Sequence, residues 1–198
     1  MKKLELFWAL KKPIVNFPFG YKHQIYTDMG MAGHNGLDLP CPIGEPIYAS
    51  HDGLISFANI DGKSGYGVVI RTEEMFLDTA GTPQYWKTIY WHLLPNIPVR
   101  VGQKVMIGDI IGYGDTTGMA TGPHLHFGLK PIARGENEWT WYNIEQNNGY
   151  FGAIDPAPYM STMTAFQLRT SLQTLSELIK KLSELLAVFI KGRNSNSG

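Results

Sequence analysis

His124 and His126 stand two residues apart in Gly122-Pro123-His124-Leu125-His126-Phe127-Gly128-Leu129. The segment reads as a short strand, on which residues i and i+2 project from one face. Two imidazoles held side by side can ligate one metal, or divide the work between ligation and proton transfer. The bland alternative is that one is a satisfied structural histidine. Two further stretches add to the pattern: Gly33-His34-Asn35-Gly36-Leu37-Asp38-Leu39-Pro40 and Tyr90-Trp91-His92-Leu93-Leu94. His34 and Asp38 are four apart. Gly36 and Pro40 argue against a helix there, and a strand or tight loop also puts i and i+4 on one side. Imidazole nitrogen and carboxylate oxygen both suit zinc, and a catalytic zinc typically takes about three protein ligands. By ligand type the set is His34, Asp38 and one of the two strand histidines. The other strand histidine and His92 are left to act on protons.

A β-rich scaffold has to hold these groups together. Short apolar runs separated by glycine turns occur at 47–49, 53–58, 66–71, 84–92, 99–101, 104–106 and 110–113. They predict a mainly β domain of antiparallel strands in a barrel-like or two-sheet arrangement. Residues 1–16 read as a lead-in, 17–160 as the domain, 161–191 as a helix and 192–198 as a frayed tail. Tyr21 to Gly33 reads as a loop. Thr164-Ala165-Phe166-Gln167 fits a capping box. After it Leu168, Leu172, Leu175, Ile179, Leu182, Leu186 and Phe189 recur at spacings of four and three, a heptad seam that Leu178, Leu185 and Ile190 widen. This amphipathic, coiled-coil-like helix is expected to pack on another helix, of a second copy or of a carrier protein. A membrane surface is a second reading, suited by Lys180, Lys181 and Lys191 and opposed by Glu177 and Glu184, and folding of the helix back onto its own β domain is a third.

Acidic and basic residues number 17 each, so the formal net charge is zero. That gives no electrostatic support for nucleic-acid binding. The single cysteine, Cys41, excludes an intrachain disulfide and reads as a buried apolar side chain. Leu4 to Leu10 contains Glu5 and is too short and too charged for a secretory leader. No run approaches the length of a membrane span.

Gly33-His34-x3-Asp38, Trp91-His92-Leu93 and Thr121-Gly122-Pro123-His124-Leu125-His126 follow one another in an order that resembles the M23 metallopeptidases, the lysostaphin and LytM type of peptidoglycan endopeptidase. Gly44-Glu45-Pro46-Ile47-Tyr48-Ala49, Gly65-Tyr66-Gly67-Val68-Val69-Ile70 and Val101-Gly102-Gln103-Lys104-Val105 are similar too, and the likeness spans roughly residues 17–159. The resemblance implies a LytM-type fold and one Zn²⁺ per chain, bound by His34, Asp38 and His126. It implies that His92 and His124 are the unligated catalytic pair, general base and oxyanion stabiliser. It also implies hydrolysis of peptide cross-links in bacterial peptidoglycan, at the cell wall, in the periplasm, outside the cell or from a virion. Alternatives are a catalytically silent wall-binding module on the same fold and a zinc peptidase of other peptides. The sequence departs from the common pattern at Gly128, where an acidic residue is often found. The loop 72–84 and the aromatic stretch 131–152 look like insertions.

Weaker substrate-binding candidates are His23 and Tyr26, in the loop ahead of His34, and the aromatic pair Trp139 and Trp141. His51, beside Asp52 in a turn, is expected at the surface.

Overall fold

The computed structural model describes residues 1–136 and 140–195, with the side chains of 188, 189 and 191–195 left aside. The strands and helices run in the order β1 (Leu6–Trp8), α1 (Gln24–Asp28), β2 (Leu37–Pro40), β3 (Pro46–Tyr48), β4 (Gly53–Ile60), β5 (Tyr66–Arg71), β6 (Phe76–Leu77), β7 (Pro83–Leu93), β8 (Lys104–Val105), β9 (Ile110–Tyr113), β10 (His124–Arg134), β11 (Trp141–Asn143), β12 (Met160–Thr164) and α2 (Ala165–Ser195). The main sheet has the order β11-β10-β7-β5-β4-β8, with β2 also on β10 and β6 on β7. All of its pairings are antiparallel, and β3 with β9 forms a second antiparallel pair. The fold is therefore mainly β, as the strand spacing predicts, with one long C-terminal helix.

Alternation along the long strands separates core from site. On β10, Leu125, Phe127 and Leu129 are buried, while His124 and His126 face the other way. On β7, Trp86, Thr88 and Tyr90 point inward. Leu37 and Leu39 of β2, Ile55 of β4 and Val68 and Ile70 of β5 complete this layer. Burying these β-branched and aromatic side chains is what holds the sheet rigid enough to present a site.

Several expectations need correction. The lead-in contributes Leu4, Leu6, Ala9 and Leu10 to the core, and β1 pairs with β12 in parallel, not antiparallel. The loop 21–33 contains the single-turn helix α1, which His23 caps by accepting from the Ile25 amide at 3.3 Å. Residues 99–101 form no strand.

His51 is buried, not at the surface. Its Nδ1 donates to the Asp52 carbonyl at 2.8 Å, and its Nε2 lies 2.9 Å from the Thr88 hydroxyl, itself 3.0 Å from the Tyr90 hydroxyl. Burial pushes this imidazole below its ordinary pKa, against the opposing pull of Asp52. Below the free value of ~6.5 the unfolded chain binds a proton that the folded chain resists. Stability is therefore expected to be full above that pH and to fall as pH drops through it. Urea midpoints of the metal-loaded protein at pH 7.5 and 5.5 check this, and His51→Gln should flatten the difference.

The helix start behaves as its sequence predicts. The Gln167 amide donates to Thr164 Oγ1 at 3.1 Å, and the Thr164 amide donates to Gln167 Oε1 at 2.8 Å. Phe166 packs on Tyr48 with Lys11 over its ring, and Arg169 pairs with Asp109, so the first turns are docked. From Leu172 to Ile190 every leucine and isoleucine is half or more exposed. Among the described residues, no helix is long and apolar enough to cross a membrane.

Candidate active site

Three elements bring the sequence candidates together. In the register of β2 against β10, Asp38 lies directly opposite His126. Cross-strand partners share a face, so carboxylate and imidazole meet without help from a loop. His34 arrives from the turn before β2. That turn is tied down by Gly20 N to His34 O at 2.8 Å and His34 N to Tyr21 O at 2.9 Å. Gly36 lets it press on β10. A Cβ there would come within 2.5 Å of the Phe127 carbonyl and 2.8 Å of the His126 ring.

His34 Nε2, His126 Nδ1 and Asp38 Oδ1 form a nearly equilateral triangle. The separations are 3.0 Å between the nitrogens, 3.0 Å from His126 to Asp38 and 3.1 Å from His34 to Asp38. The same three residues form the one group of potential metal ligands found among the described residues. A tetrahedral zinc with bonds of ~2.0–2.1 Å separates its ligand atoms by about 3.3 Å, so the triangle is close to the right size. The hydrogen bonding supports the same reading. His34 Nδ1 lies 3.2 Å from the Pro18 carbonyl, which can only accept, so the neutral ring points a lone pair from Nε2. Three lone-pair-bearing atoms then face one another in a buried place. One proton can bridge one edge of that triangle, and the other edges repel unless a cation sits among them.

The electrostatics favour the deprotonated forms of Asp38 and His126. Burial raises the Asp38 carboxyl, but hydrogen bonds and charge from His126 and His34 outweigh it and hold the group well below the usual carboxylate range. Burial pushes the His126 imidazole below its ordinary value, with Asp38 opposing. A carboxylate and neutral imidazoles are the forms a metal binds.

His92 reaches the site through a backbone irregularity. Trp91 lies opposite His126, so regular alternation would turn His92 into the core. Between β5 and β7 the register slips, with Tyr66 opposite Leu93 and Gly67 opposite Trp91, leaving His92 as the extra residue of a bulge. Its φ is +64°, in the left-handed region. Bulge and left-handed turn together aim the ring back at β10, 4.6 Å from the His124 ring and 6.3 Å from that of His126. Gly67 accommodates Trp91, because a Cβ at 67 would overlap the indole at 1.7 Å. Such strain at a bulged, half-polar position is where function concentrates.

Both of these histidines have fixed tautomers. His92 Nδ1 lies 2.7 Å from the Thr117 carbonyl, and His124 Nδ1 lies 2.8 Å from the Gly122 carbonyl. Since a carbonyl cannot donate, each Nδ1 carries the hydrogen and each Nε2 offers a lone pair. His124 Nε2 is 3.7 Å from Asp38 Oδ1, beside the ligand triangle. Burial pushes the His92 pKa down to about 4, with the Thr117 bond opposing and the neighbouring histidines assisting. Backbone carbonyls thus orient both rings.

A cleft of ≈ 590 Å³ opens onto this cluster, lined by Tyr26, Trp91 and Met119 among others. The Tyr26 ring stacks on His34 at 5.2 Å, and burial, with Asp38 beside it, pushes its hydroxyl up to about 12. His23 also lines the cleft, in its capping role. Trp141 is elsewhere, edge-on to Tyr85 at 5.0 Å and beneath the Arg71 guanidinium. Trp139 lies outside the described residues. Cys41 is buried, its thiol pushed up to about 12 by burial and by Glu45.

Residues 32–138 match peptidase family M23. The chain is 40% identical over 105 residues to a protein named peptidoglycan DD-endopeptidase ShyA from Vibrio cholerae serotype O1, an overlap of 53% of this chain and 21% of that one. It is 30% identical over 181 residues to the glycyl-glycine endopeptidase ALE-1 of Staphylococcus capitis, covering 80% of this chain and 46% of that one. A solved structure described as a zinc containing peptidase from Vibrio cholerae superposes with a TM-score of 0.50 at 27% identity, over 71% of this chain and 39% of the other. The chain thus spans about a fifth of the first relative's length and just under half of the second's. With the match covering more than half of its residues and the site falling inside it, the chain belongs to peptidase family M23.

Proposed function

We propose that this chain is a zinc-dependent endopeptidase that hydrolyses peptide cross-links in bacterial peptidoglycan and acts at the cell wall. The observation that carries the proposal is the junction of the two clusters. Three converging ligand atoms border two imidazoles whose free Nε2 atoms open on the same cleft. His34, Asp38 and His126 would hold one zinc ion. When bound, such an ion polarises a carbonyl and makes water nucleophilic near neutral pH.

The remaining steps belong to the chain. His124, nearest the ligand triangle, takes the proton of the attacking water at Nε2 and returns it to the departing amine nitrogen. His92, held neutral by its burial, offers Nε2 as an acceptor that orients the attacking water, and it stabilises the developing oxyanion only once that nitrogen has taken up a proton. Tyr26 and Trp91 flank the peptide, and the tyrosine keeps its proton for donation because its pKa lies far above neutrality. A silent wall-binding module would gain nothing from two imidazoles locked into the same tautomer beside a ligand set.

The two relatives are named for different bonds, a DD-endopeptidase and a glycyl-glycine endopeptidase. Zinc-loaded protein is therefore tested on walls of both cross-link types, by loss of turbidity and by mass spectrometry of the released fragments. Fragments ending at cleaved cross-links are expected from one type, and chelation should stop their release. Intact walls of both types would sink the proposal.

A further inference from the structure

Beyond the metal cluster, the same face of the sheet carries a second set of groups. Alternation along β10 puts His126, Gly128 and Lys130 on one side. In the register of β10, β7 and β5, Lys130 lies opposite Lys87, and Lys87 lies opposite Arg71. Three cations therefore stand in one row across three adjacent strands. Like charges directly opposite each other on a sheet are destabilising, so the row needs a reason. Among the described residues, no carboxylate lies within ion-pair distance of any of the three.

Their present contacts are incomplete. Lys130 donates to the Phe151 carbonyl at 2.6 Å, which uses one of its three hydrogens. The Arg71 guanidinium lies 4.6 Å from the Trp141 ring centroid, and that contact leaves its in-plane donors unused. Burial, together with Lys87, lowers Lys130 to about 8, with Asp61 opposing, and burial lowers Lys87 as well. Both ammonium groups would gain from a bound anion.

Four residues of strand separate His126 from Lys130, about 13 Å at ~3.3 Å per residue. Gly128 lies between them, buried beside Ile89 and the Asn35 carbonyl. The link from the cleft to the row is Phe151, which lines the cleft and whose carbonyl accepts from Lys130.

Resting on the peptidase reading above, we infer that Lys87, Lys130 and Arg71 form an anion subsite that binds a carboxylate of the peptide substrate about four residues from the scissile amide. Trp141 supports the guanidinium from below. The subsite selects substrate by charge and takes no part in bond breaking.

The test uses a cross-linked muropeptide dimer and the same dimer with its carboxylates converted to carboxamides. Both are given to the zinc-loaded wild type and to a Lys87→Gln, Lys130→Gln double variant. Kinetics are followed by chromatography, and binding of each dimer in the presence of excess chelator is followed by equilibrium dialysis. The variant is expected to raise KM for the native dimer about tenfold, the size of a lost charged hydrogen bond, with kcat within about twofold. Amidation should cost the wild type a similar factor, and the variant should not tell the two dimers apart. An equal loss on both dimers, or no loss, overturns the subsite. If the wild type cuts neither dimer, the peptidase reading fails only where walls of both cross-link types also stay intact. Dialysis then decides the subsite: retention of the native dimer that both amidation and the double variant weaken upholds it, and no difference overturns it.

Discussion

A His126→Ala chain is expected to come out of purification with at least ~100-fold weaker zinc affinity and no measurable wall hydrolysis. The effect is large because each corner of the triangle depends on the other two. With His126 gone, Asp38 loses its 3.0 Å partner and the pair of imidazoles becomes one. Two ligands from one turn, His34 and Asp38, would then have to hold the ion alone. Alanine leaves the backbone of β10 paired to β2 and β7, so the fold should survive. Metal content by elemental analysis, circular dichroism and muropeptide release are read on the same sample. Retention of stoichiometric zinc by a folded His126→Ala chain would remove His126 from the ligand set. A subtler form of the experiment uses Gly36→Ala, which removes no ligand. The added carbon meets the His126 ring and the Phe127 carbonyl, so it should spread the triangle and weaken zinc although all three ligand side chains are still present.

The residues that cluster at the site were legible from the sequence because each stands on a pattern whose geometry is local, although the preference for His126 over His124 as a ligand came only from the resemblance. His124-Leu125-His126 needs only the two-residue period of a strand, and His34-x3-Asp38 needs only a short turn. The capping box at Thr164 is local in the same way, and its two hydrogen bonds form as written. What escaped was non-local. That His92 leaves the core face depends on a slip of register between β5 and β7, and no residue type marks the slip. Gly67 is the nearest hint, a glycine inside an otherwise β-branched strand, which often marks a bulge or a close approach. The burial of His51 escaped because Asp52-Gly53 reads as a turn, while the Thr88 and Tyr90 hydroxyls that receive the ring are more than 35 residues away along the chain. The first strand was missed because Glu5 breaks its apolar run, although Leu4 and Leu6 on either side are buried. Orientation of the histidines fell to backbone carbonyls, which no side-chain pattern can announce.

A His124→Gln chain is expected to keep its zinc and lose about 10²–10⁴ in kcat on wall muropeptides, with KM little changed. Glutamine fills the space and can still bond to the Gly122 carbonyl, but it cannot take a proton from water at neutral pH. The contrast with His126→Ala is the point of the pair: one loses metal and activity, the other activity alone. His92→Gln should resemble His124→Gln in kcat. The double variant should cost little more than the worse single one if the two rings serve one proton and one developing charge. Multiplicative losses would instead mean that the rings act independently, and the assignment of roles would have to be redrawn. Should His124→Gln retain wild-type kcat with zinc bound, the proton must travel by another group. The structure then offers His92 Nε2 as the remaining imidazole lone pair on that side of the triangle.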